Sequence, residues 1–420
     1  MKTKVFSAVM MMMVVMMTAC SSDDDAFEPV QPAPKKGESR TVAQAKTVLV
    51  YMAGRNNLKK AVDIDLKEIK EGSRHLNDGD NLLVFVRRVE GTEMPWLARI
   101  MNGEVTDSVS LSDMGIGSSD GQMRASDPVV IEGVMRYAFS HYPASTGHYG
   151  LVLWGHGSGW LIKNEVNMPC TRAYGVDNGS YIHSTDGRWI NIPTLAGILK
   201  GMPHLKFIMA DCCNFMCLEN LYELRNTCDY IIGSPAEVPD HGAPYDEILP
   251  DLFADGPFYA NIIDKYYKSV SGCLPLTAVK TSEMENVAQA TRQAMQAVKD
   301  SLGNSYADMK GLIHYYYLDD KFAFCPEYNM FYDAGDFFLR YAPQDVYLQW
   351  RQTLDRAVVD SRQATWWKTD KIWRYMYIDF TVTDEKMHGV SMFVAQNPAK
   401  GDYATYNEDI KQLAWWNTVN

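Results

Sequence analysis

The sequence predicts an α/β protein with a mostly parallel central sheet and helices on both of its faces. Short apolar runs bounded by helical patterns are typical of buried parallel strands. These runs are Val48–Met52, Leu82–Val86, Tyr149–Trp154, Leu205–Ala210 and Asp229–Ser234. Strand and helix patterns alternate along the chain, which is the arrangement that places helices on both faces of one sheet.

Helical spacing of apolar residues justifies the elements between the strands. The first helix has its apolar face at Leu58, Val62, Leu66 and Ile69. A second helix is predicted over Val129–Phe139, and a third starts at Ile192-Pro193, where proline suits the first turn. Residues 91–128 mix polar β-like pieces with a Gly/Ser/Asp loop, and we interpret them as an excursion from the sheet.

The pattern changes near residue 250. Ser282-x-x-Glu285 is a capping box, which predicts the start of a long helix. Val390–Val394 is expected to be a strand, and residues 406–416 a closing helix. We therefore divide the folded part into a core region, residues 47–250, and a C-terminal α+β region, residues 251–420, packed on that core.

The N-terminal segment has the features of an export signal. Residues 1–19 combine two lysines, a short apolar stretch and a small-residue cleavage site, and they are too short for a stable membrane span. Met17–Cys20 resembles a bacterial lipobox with Met in place of Leu, so Cys20 is the predicted lipidation site. A plain secretory signal with an incidental cysteine is the alternative.

The segment after Cys20 is predicted to connect a lipid anchor to the folded part. Residues 20–46 are rich in Pro, Lys, Gly and Ser, a composition that cannot bury a core, so a flexible tether is expected. Ser21–Asp25 resembles the acidic tag that directs lipoproteins of the Bacteroidetes type to the cell surface. The predicted location is the outer membrane, with exposure at the cell surface.

Charge and cysteine content exclude two classes of protein. The net charge of −12 argues against nucleic acid as a partner. Seven cysteines remain besides Cys20, an odd number for a disulfide scaffold, and their spacing matches no zinc pattern. We predict no cofactor and no metal. An unpaired cysteine in an exported protein suggests a free reactive thiol.

The most informative pair is His156 and Cys213. Each follows the end of a predicted buried strand, and chemistry in open α/β sheets gathers at the carboxyl ends of the strands. A thiol attacks as the thiolate, so it needs a base or a favourable dipole. Cys213 is expected at the start of a helix, whose N-terminus favours an anion. The backbone N–H groups of Gly157 and Cys213 are the candidate oxyanion donors.

These residues lie in motifs that resemble the clostripain-like cysteine peptidases, which have a caspase-type α/β/α fold. The matching segments are residues 47–58, residues 142–144, Leu151–Trp160, Asp211–Cys213, Pro239–Tyr245 and His388–Phe393. The resemblance implies a cysteine endopeptidase that acts on peptides or proteins with a Cys213–His156 dyad. It also implies that Asp211 shapes an acidic pocket for Arg or Lys.

The sequence departs from the family pattern near the site. Gly155, Cys212 and Asn214 stand where the family has other residues, and the acidic segment that the family carries at 236–239 is altered here. Glu237 and Asp240 are further candidates for substrate binding. Asp211 as a mere helix N-cap and Cys212 as a packing residue are the structural alternatives considered for these positions.

Two other functions fit parts of the sequence. An α/β-hydrolase requires a Gly-x-Ser-x-Gly elbow, which is absent from the sequence. The alternative of an inactive surface lipoprotein of the same fold, which binds peptides or host proteins, stays open.

Some clostripain-like enzymes use calcium, but the sequence has no Asp-x-Asp-x-Asp-Gly loop. Relatives are often cut between the catalytic His and Cys, and Lys163 and Arg172 are the processing candidates here.

Overall fold

The computed structural model describes residues 45–88, 96–118, 121–162, 174–179, 187–315, 330–364, 383, 386–401 and 403–420. The strands are β1 (Thr47–Gly54), β2 (Asn81–Arg88), β3 (Trp96–Met101), β4 (Glu104–Ser110), β5 (Tyr149–Gly155), β6 (Tyr174–Asp177), β7 (Arg188–Ile190), β8 (Leu205–Asp211), β9 (Cys228–Gly233), β10 (Leu276–Lys280), β11 (Tyr332–Asp333), β12 (Val358–Arg362) and β13 (Ser391–Met392). The helices are α1 (Lys59–Gly72), α2 (Pro128–His141), α3 (Ile192–Lys200), α4 (Leu218–Glu223), α5 (Tyr245–Leu252), α6 (Phe258–Ser269), α7 (Met284–Leu302), α8 (Ala334–Tyr341), α9 (Gln344–Ala357), α10 (Tyr403–Asp409) and α11 (Ala414–Val419).

One large sheet organises the described part of the chain. Nine strands follow the order β12-β10-β9-β8-β5-β1-β2-β3-β4. The five central strands β9, β8, β5, β1 and β2 are parallel to one another, while the strands at both edges pair antiparallel. The predicted α/β class with a mostly parallel sheet is confirmed.

The sheet buries apolar side chains on both faces because alternate residues of each strand point to opposite sides. One face packs against α1, α5 and α6, with Val50, Met52 and Met209 in its core. The other face packs against α2, α3 and α4, with Leu49, Tyr51 and Ile208 in its core. The strands that precede His156 and Cys213 are therefore packed on both faces.

Some boundaries differ from the sequence prediction. Residues 96–110 are not an excursion, because β3 pairs with β2 and β4 pairs with β3. The five leading residues of β4 are exposed, so this edge strand has no apolar run that a sequence pattern could detect. The closing helix is broken into α10 and α11, since Leu413 between them is extended.

The capping-box prediction is wrong in detail. Thr281–Glu283 form a short 3₁₀ turn, and α7 starts after it without a side-chain cap. Residue 250 lies inside α5, and β10 and β12 beyond it join the same sheet as the strands before it. Among the described residues, no helix has the length and apolar character needed to cross a bilayer.

Candidate active site

The register of two neighbouring strands sets the geometry of the site. In the parallel β5–β8 pair, Trp154 is opposite Asp211. His156 and Cys213 each come two residues after this pair. Both strands end close to this pair, at Gly155 and Asp211, so His156 and Cys213 follow neighbouring strand ends at the carboxyl edge of the sheet. The prediction that both follow strand ends is confirmed.

Gly157 allows the two chain segments to approach closely. A Cβ atom on residue 157 would lie 2.7 Å from the Cys213 carbonyl oxygen and 3.1 Å from the Cys212 Sγ atom. The backbone on the other side is fixed by β6, since the Gly175 N–H donates to the His156 carbonyl at 2.8 Å. A side chain at position 157 would therefore push the His156 and Cys213 segments apart.

The turn between β1 and α1 orients the imidazole. Asn57 is exposed, and its Oδ1 atom lies 2.6 Å from Nε2 of His156. The preceding Asn56 is buried, and its side-chain amide donates to the carbonyl oxygens of Ala53 and Val176, both at 2.9 Å. This turn is thus pinned to two strands. On the same side of the site, the Trp189 ring is tilted against His156 with centroids 6.3 Å apart.

The Cys213 thiol is half-buried and faces a backbone donor. The Val238 N–H donates to Sγ at 3.3 Å, a contact that favours the thiolate. The expected helix N-terminus is absent at this position: α4 begins at Leu218, five residues later, and has only six residues. The loop after β9, rather than a helix dipole, provides the backbone donor that faces Cys213.

Asn214 fixes the position of its neighbour Cys213. Its φ is +55°, in the left-handed region that asparagine tolerates better than most residues. Its N–H donates to the Ala236 carbonyl at 2.9 Å, and its side chain donates to the carbonyls of Pro235 and Tyr315. The departure from the family pattern at 214 therefore has a structural role. Cys212 points into the opposite core and is buried, as predicted for a packing residue.

Asp211 lies on the Cys213 side of the sheet and is buried. Its Oδ1 accepts from the Tyr266 hydroxyl at 2.7 Å, and its Oδ2 accepts from the Tyr245 hydroxyl at 2.9 Å and the Ala243 N–H at 3.1 Å. Burial raises the pKa of Asp211, and these three donors partly oppose the rise. The N-cap interpretation is wrong, because α4 is capped at Cys217 instead.

Two acids of α1 lie beside Asp211. Asp65 is fully buried, and its Oδ2 accepts from the Trp154 indole N–H at 2.5 Å. Burial and the Asp211 charge raise the pKa of Asp65 to about 8. Glu68 is half-buried and accepts from the Tyr245 N–H at 3.2 Å; burial raises its pKa as well. Asp211, Asp65 and Glu68 together are called the acid cluster below.

The two other predicted substrate carboxylates belong to the loop between β9 and α5. Asp240 has a side chain that is 86% exposed, at the tip of the loop between β9 and α5. Glu237 is half-buried in the same loop, next to Val238. The structure thus brings Gly157, the neighbour of His156, against Cys213, and it buries Asp211 two residues before Cys213, whereas Asp240 faces solvent. Cys20, Lys163 and Arg172 lie outside the described residues. Among the residues that the structure describes, no group of three or more His, Cys, Asp or Glu residues could hold a metal ion.

Sequence reasoning missed Asn57, Asp65 and Val238. Only Asp65 carried a detectable signal: it falls between Val62 and Ile69 on the apolar face of α1, where an unpaired charge is unexpected. Asn57 looked like an ordinary turn residue. Val238 acts through its backbone N–H, which no side-chain pattern reveals.

Comparison with known proteins identifies the family. The family model described as the Clostripain family matches residues 50–418. The chain belongs to the clostripain family of cysteine peptidases. Its caspase-like α/β/α sheet agrees with that membership. A search of the curated proteins finds no match.

Solved structures of clostripain-family proteins share the fold. A secreted C11 cysteine protease from Bacteroides thetaiotaomicron, in complex with an irreversible peptide inhibitor, is 25% identical with a TM-score of 0.67; the match covers 90% of this chain and 99% of that one. An inactive zymogen C11 protease from Parabacteroides distasonis is 27% identical with a TM-score of 0.69, again covering 90% and 99%.

Proposed function

We propose that the chain is an endopeptidase that hydrolyses peptide bonds after Arg or Lys with a Cys213–His156 dyad. The observation that carries the proposal is the close approach of Gly157, the neighbour of His156, to the backbone of Cys213, which supports placing the two side chains beside each other at the open edge of the sheet. The half-buried state of Cys213 suits a nucleophile that meets a substrate but is protected from bulk solvent.

Asn57 supports an assignment of the proton positions. If the Asn57 Oδ1 accepts, the His156 Nε2 carries the proton, and Nδ1 retains the lone pair that serves as the base. Nδ1 takes the thiol proton of Cys213, and the Val238 N–H stabilises the thiolate that results. The tautomer is thus set before the substrate arrives.

The reaction then follows from these charges. The thiolate attacks the scissile carbonyl carbon, and the oxyanion that forms is held by the N–H groups of Gly157 and Cys213. The imidazolium of His156 gives its proton to the leaving amine, which leaves an acyl-enzyme on Sγ. Water, deprotonated by the same imidazole, attacks the thioester and restores the thiol.

The acid cluster supports a basic residue at P1, the position immediately before the cleaved bond. Asp211 lies two residues before Cys213 on the same side of the sheet, so it is the carboxylate nearest the nucleophile along the chain. It is 4% exposed, and the loop before α5 contacts it through Ala243. A P1 side chain therefore has to displace part of this loop to reach the carboxylate.

Two further proposals concern the maturation of the enzyme. The first is export with a lipid on Cys20 that anchors the protein to the outer membrane; one relative is a secreted protease. Cys20→Ala should then remove the protein from the membrane fraction, and retention there would refute the anchor. Processing at Lys163 or Arg172 is also proposed; wild type should split on incubation while Cys213→Ala stays whole.

Three matched variants test the dyad. Cys213→Ala and His156→Ala should each abolish hydrolysis of a peptide reporter with Arg at P1, while Cys212→Ala should keep most of the activity. Thermal unfolding of each variant checks that the fold is intact. Full activity in Cys213→Ala would overturn the assignment, and peptide binding without turnover by wild type would favour the alternative of an inactive binding protein.

A further inference from the structure

Asp65 occupies a position that structural stability alone does not explain. It lies on the buried face of α1 with Val62 and Ile69, yet its Oδ1 atom is buried without a hydrogen-bond partner. Its other oxygen is bonded to the Trp154 indole. An unsatisfied buried carboxyl oxygen destabilises the folded state, so its presence suggests a ligand that completes it.

The turn that covers Asp65 also covers Asp211. Gly242 has a φ of +57°, and its N–H donates to the Pro239 carbonyl at 3.0 Å, which closes the turn. A Cβ atom on residue 242 would lie 2.8 Å from the Asp211 Oδ2 and 3.4 Å from the Asp65 Oδ2. The carboxyl groups of Asp65 and Asp211, which belong to different elements, therefore both lie next to the backbone of Gly242.

Aromatic and acidic side chains surround this pair, together with one histidine. Trp154 faces it from β5, Tyr245 from α5, Tyr266 from α6, Glu68 from α1 itself and His241 from the covering loop, where the positive charge of His241 favours the ionised form of Asp211. Within the described ranges, no Lys or Arg forms an ion pair with either Asp65 or Asp211. Two neighbouring buried carboxyl groups that have no lysine or arginine ion-pair partner in the described part of the chain cannot both ionise readily, which makes the pair a receptor for a cation.

We propose that Asp65 is the second carboxylate that binds the basic P1 side chain, beside Asp211, and that the P1 cation displaces both a proton of the pair and the Gly242 turn. This inference rests on the proposed function. The ammonium or guanidinium group would use the Asp65 Oδ1 atom, while Asp211 keeps its two tyrosine hydroxyls. The proton that the pair loses passes to solvent.

The test compares two reporters that differ only at P1, one with arginine and one with its neutral isostere citrulline. Asp65→Asn keeps an acceptor for Trp154 and removes the charge. It should lower the arginine-to-citrulline ratio of kcat/KM at least tenfold. Asp63→Asn is the matched control, because Asp63 is an exposed acid of the same helix, and its ratio should equal that of wild type.

A second measurement needs no variant. In wild type, the arginine-to-citrulline ratio should rise between pH 6 and pH 9, because the pair must lose its proton before it binds a cation. A ratio that does not change with pH, or an unchanged ratio in Asp65→Asn, overturns the inference. If wild type shows no preference for arginine, the proposed specificity fails as well. If wild type prefers arginine and Asp211→Asn removes the preference but Asp65→Asn does not, the proposed specificity stands and only the role of Asp65 is wrong.

Discussion

The Oδ1 atom of Asn57 lies 2.6 Å from Nε2 of His156, so a residue of the first βα turn contacts the imidazole at the end of the third parallel strand along the chain. The contact depends on the buried side chain of Asn56, which ties the turn to Ala53 and Val176. The orientation of His156 is therefore determined by an element about a hundred residues earlier in the sequence.

Loss of the Asn57 contact should impair catalysis more than folding. We expect Asn57→Ala to lower kcat/KM about tenfold, because the imidazole loses its fixed tautomer. Asn57→Asp keeps the acceptor and adds a charge that favours the imidazolium, so the limb of the pH–rate profile that reports His156 should move up by about one pH unit. Asn304→Ala, at an exposed loop position, is the control. Profiles that coincide for all four proteins would show that Asn57 has no role.

Asp211 should determine selectivity rather than the chemical step. In Asp211→Asn, the preference for arginine over citrulline at P1 should fall at least tenfold, mainly through KM, because the buried carboxylate no longer pairs with the cation. Steady-state kinetics with the two reporters measures this. A wild-type preference for apolar or acidic P1 residues would contradict the specificity that we propose.

The pH dependence of stability should report Asp65. Burial and the neighbouring Asp211 raise its pKa to about 8, whereas an unfolded aspartate titrates near pH 4. Between these values the folded chain binds the extra proton, so the free energy of unfolding falls as pH rises, by at most about 1.4 kcal/mol per pH unit for one proton. Asp65→Asn should lose less stability than wild type between pH 5 and pH 8 in denaturant titrations, and Asp63→Asn should match wild type. Equal losses in Asp65→Asn and wild type would contradict the assignment.

A buried ion pair anchors the turn that carries Asn57. Asp177 is fully buried and accepts from the Arg55 Nε at 2.5 Å and from the N–H groups of Ala125 and Gly179. Asp177→Ala should destabilise the fold by about 3–5 kcal/mol, since it leaves a buried guanidinium without its partner. Asp63→Ala breaks only a surface pair with Arg88 and should change stability by less than about 1 kcal/mol. Similar unfolding midpoints for both variants would refute this account.

The sequence was sufficient to predict the sheet and the approximate place of the site. Buried parallel strands produce apolar runs, and His156 and Cys213 follow two of them, so their positions after strand ends could be predicted from the sequence. The polar edge strand β4 gave no such signal, because only one side of an edge strand is paired. The helix after β8 was predicted to start at Cys213, whereas α4 starts only at Leu218, because apolar spacing continues through the loop that precedes it.

The contacts that tune the site could not be predicted from the sequence. The Val238 N–H reaches Cys213 because the loop after β9 folds back over β8, which is a tertiary relationship. Asp65 and Asp211 are 146 positions apart and meet only when α1 packs on the sheet. Sequence patterns record burial and periodicity, but they do not record which distant polar groups face each other.

The most direct test of the account is the rate at which each cysteine reacts with iodoacetamide at neutral pH, followed by peptide mass spectrometry together with residual activity. Cys213 should be alkylated first, and activity should disappear at the same rate. Cys212 is buried and burial raises its pKa well above the usual range, so it should stay unmodified. Cys273 is the matched control, because it is half-buried like Cys213 but lies outside the proposed site. Burial raises its pKa, so it should react more slowly than Cys213. Full activity after complete alkylation of Cys213, or inactivation while Cys213 stays unmodified, would contradict the proposal that Cys213 is the nucleophile.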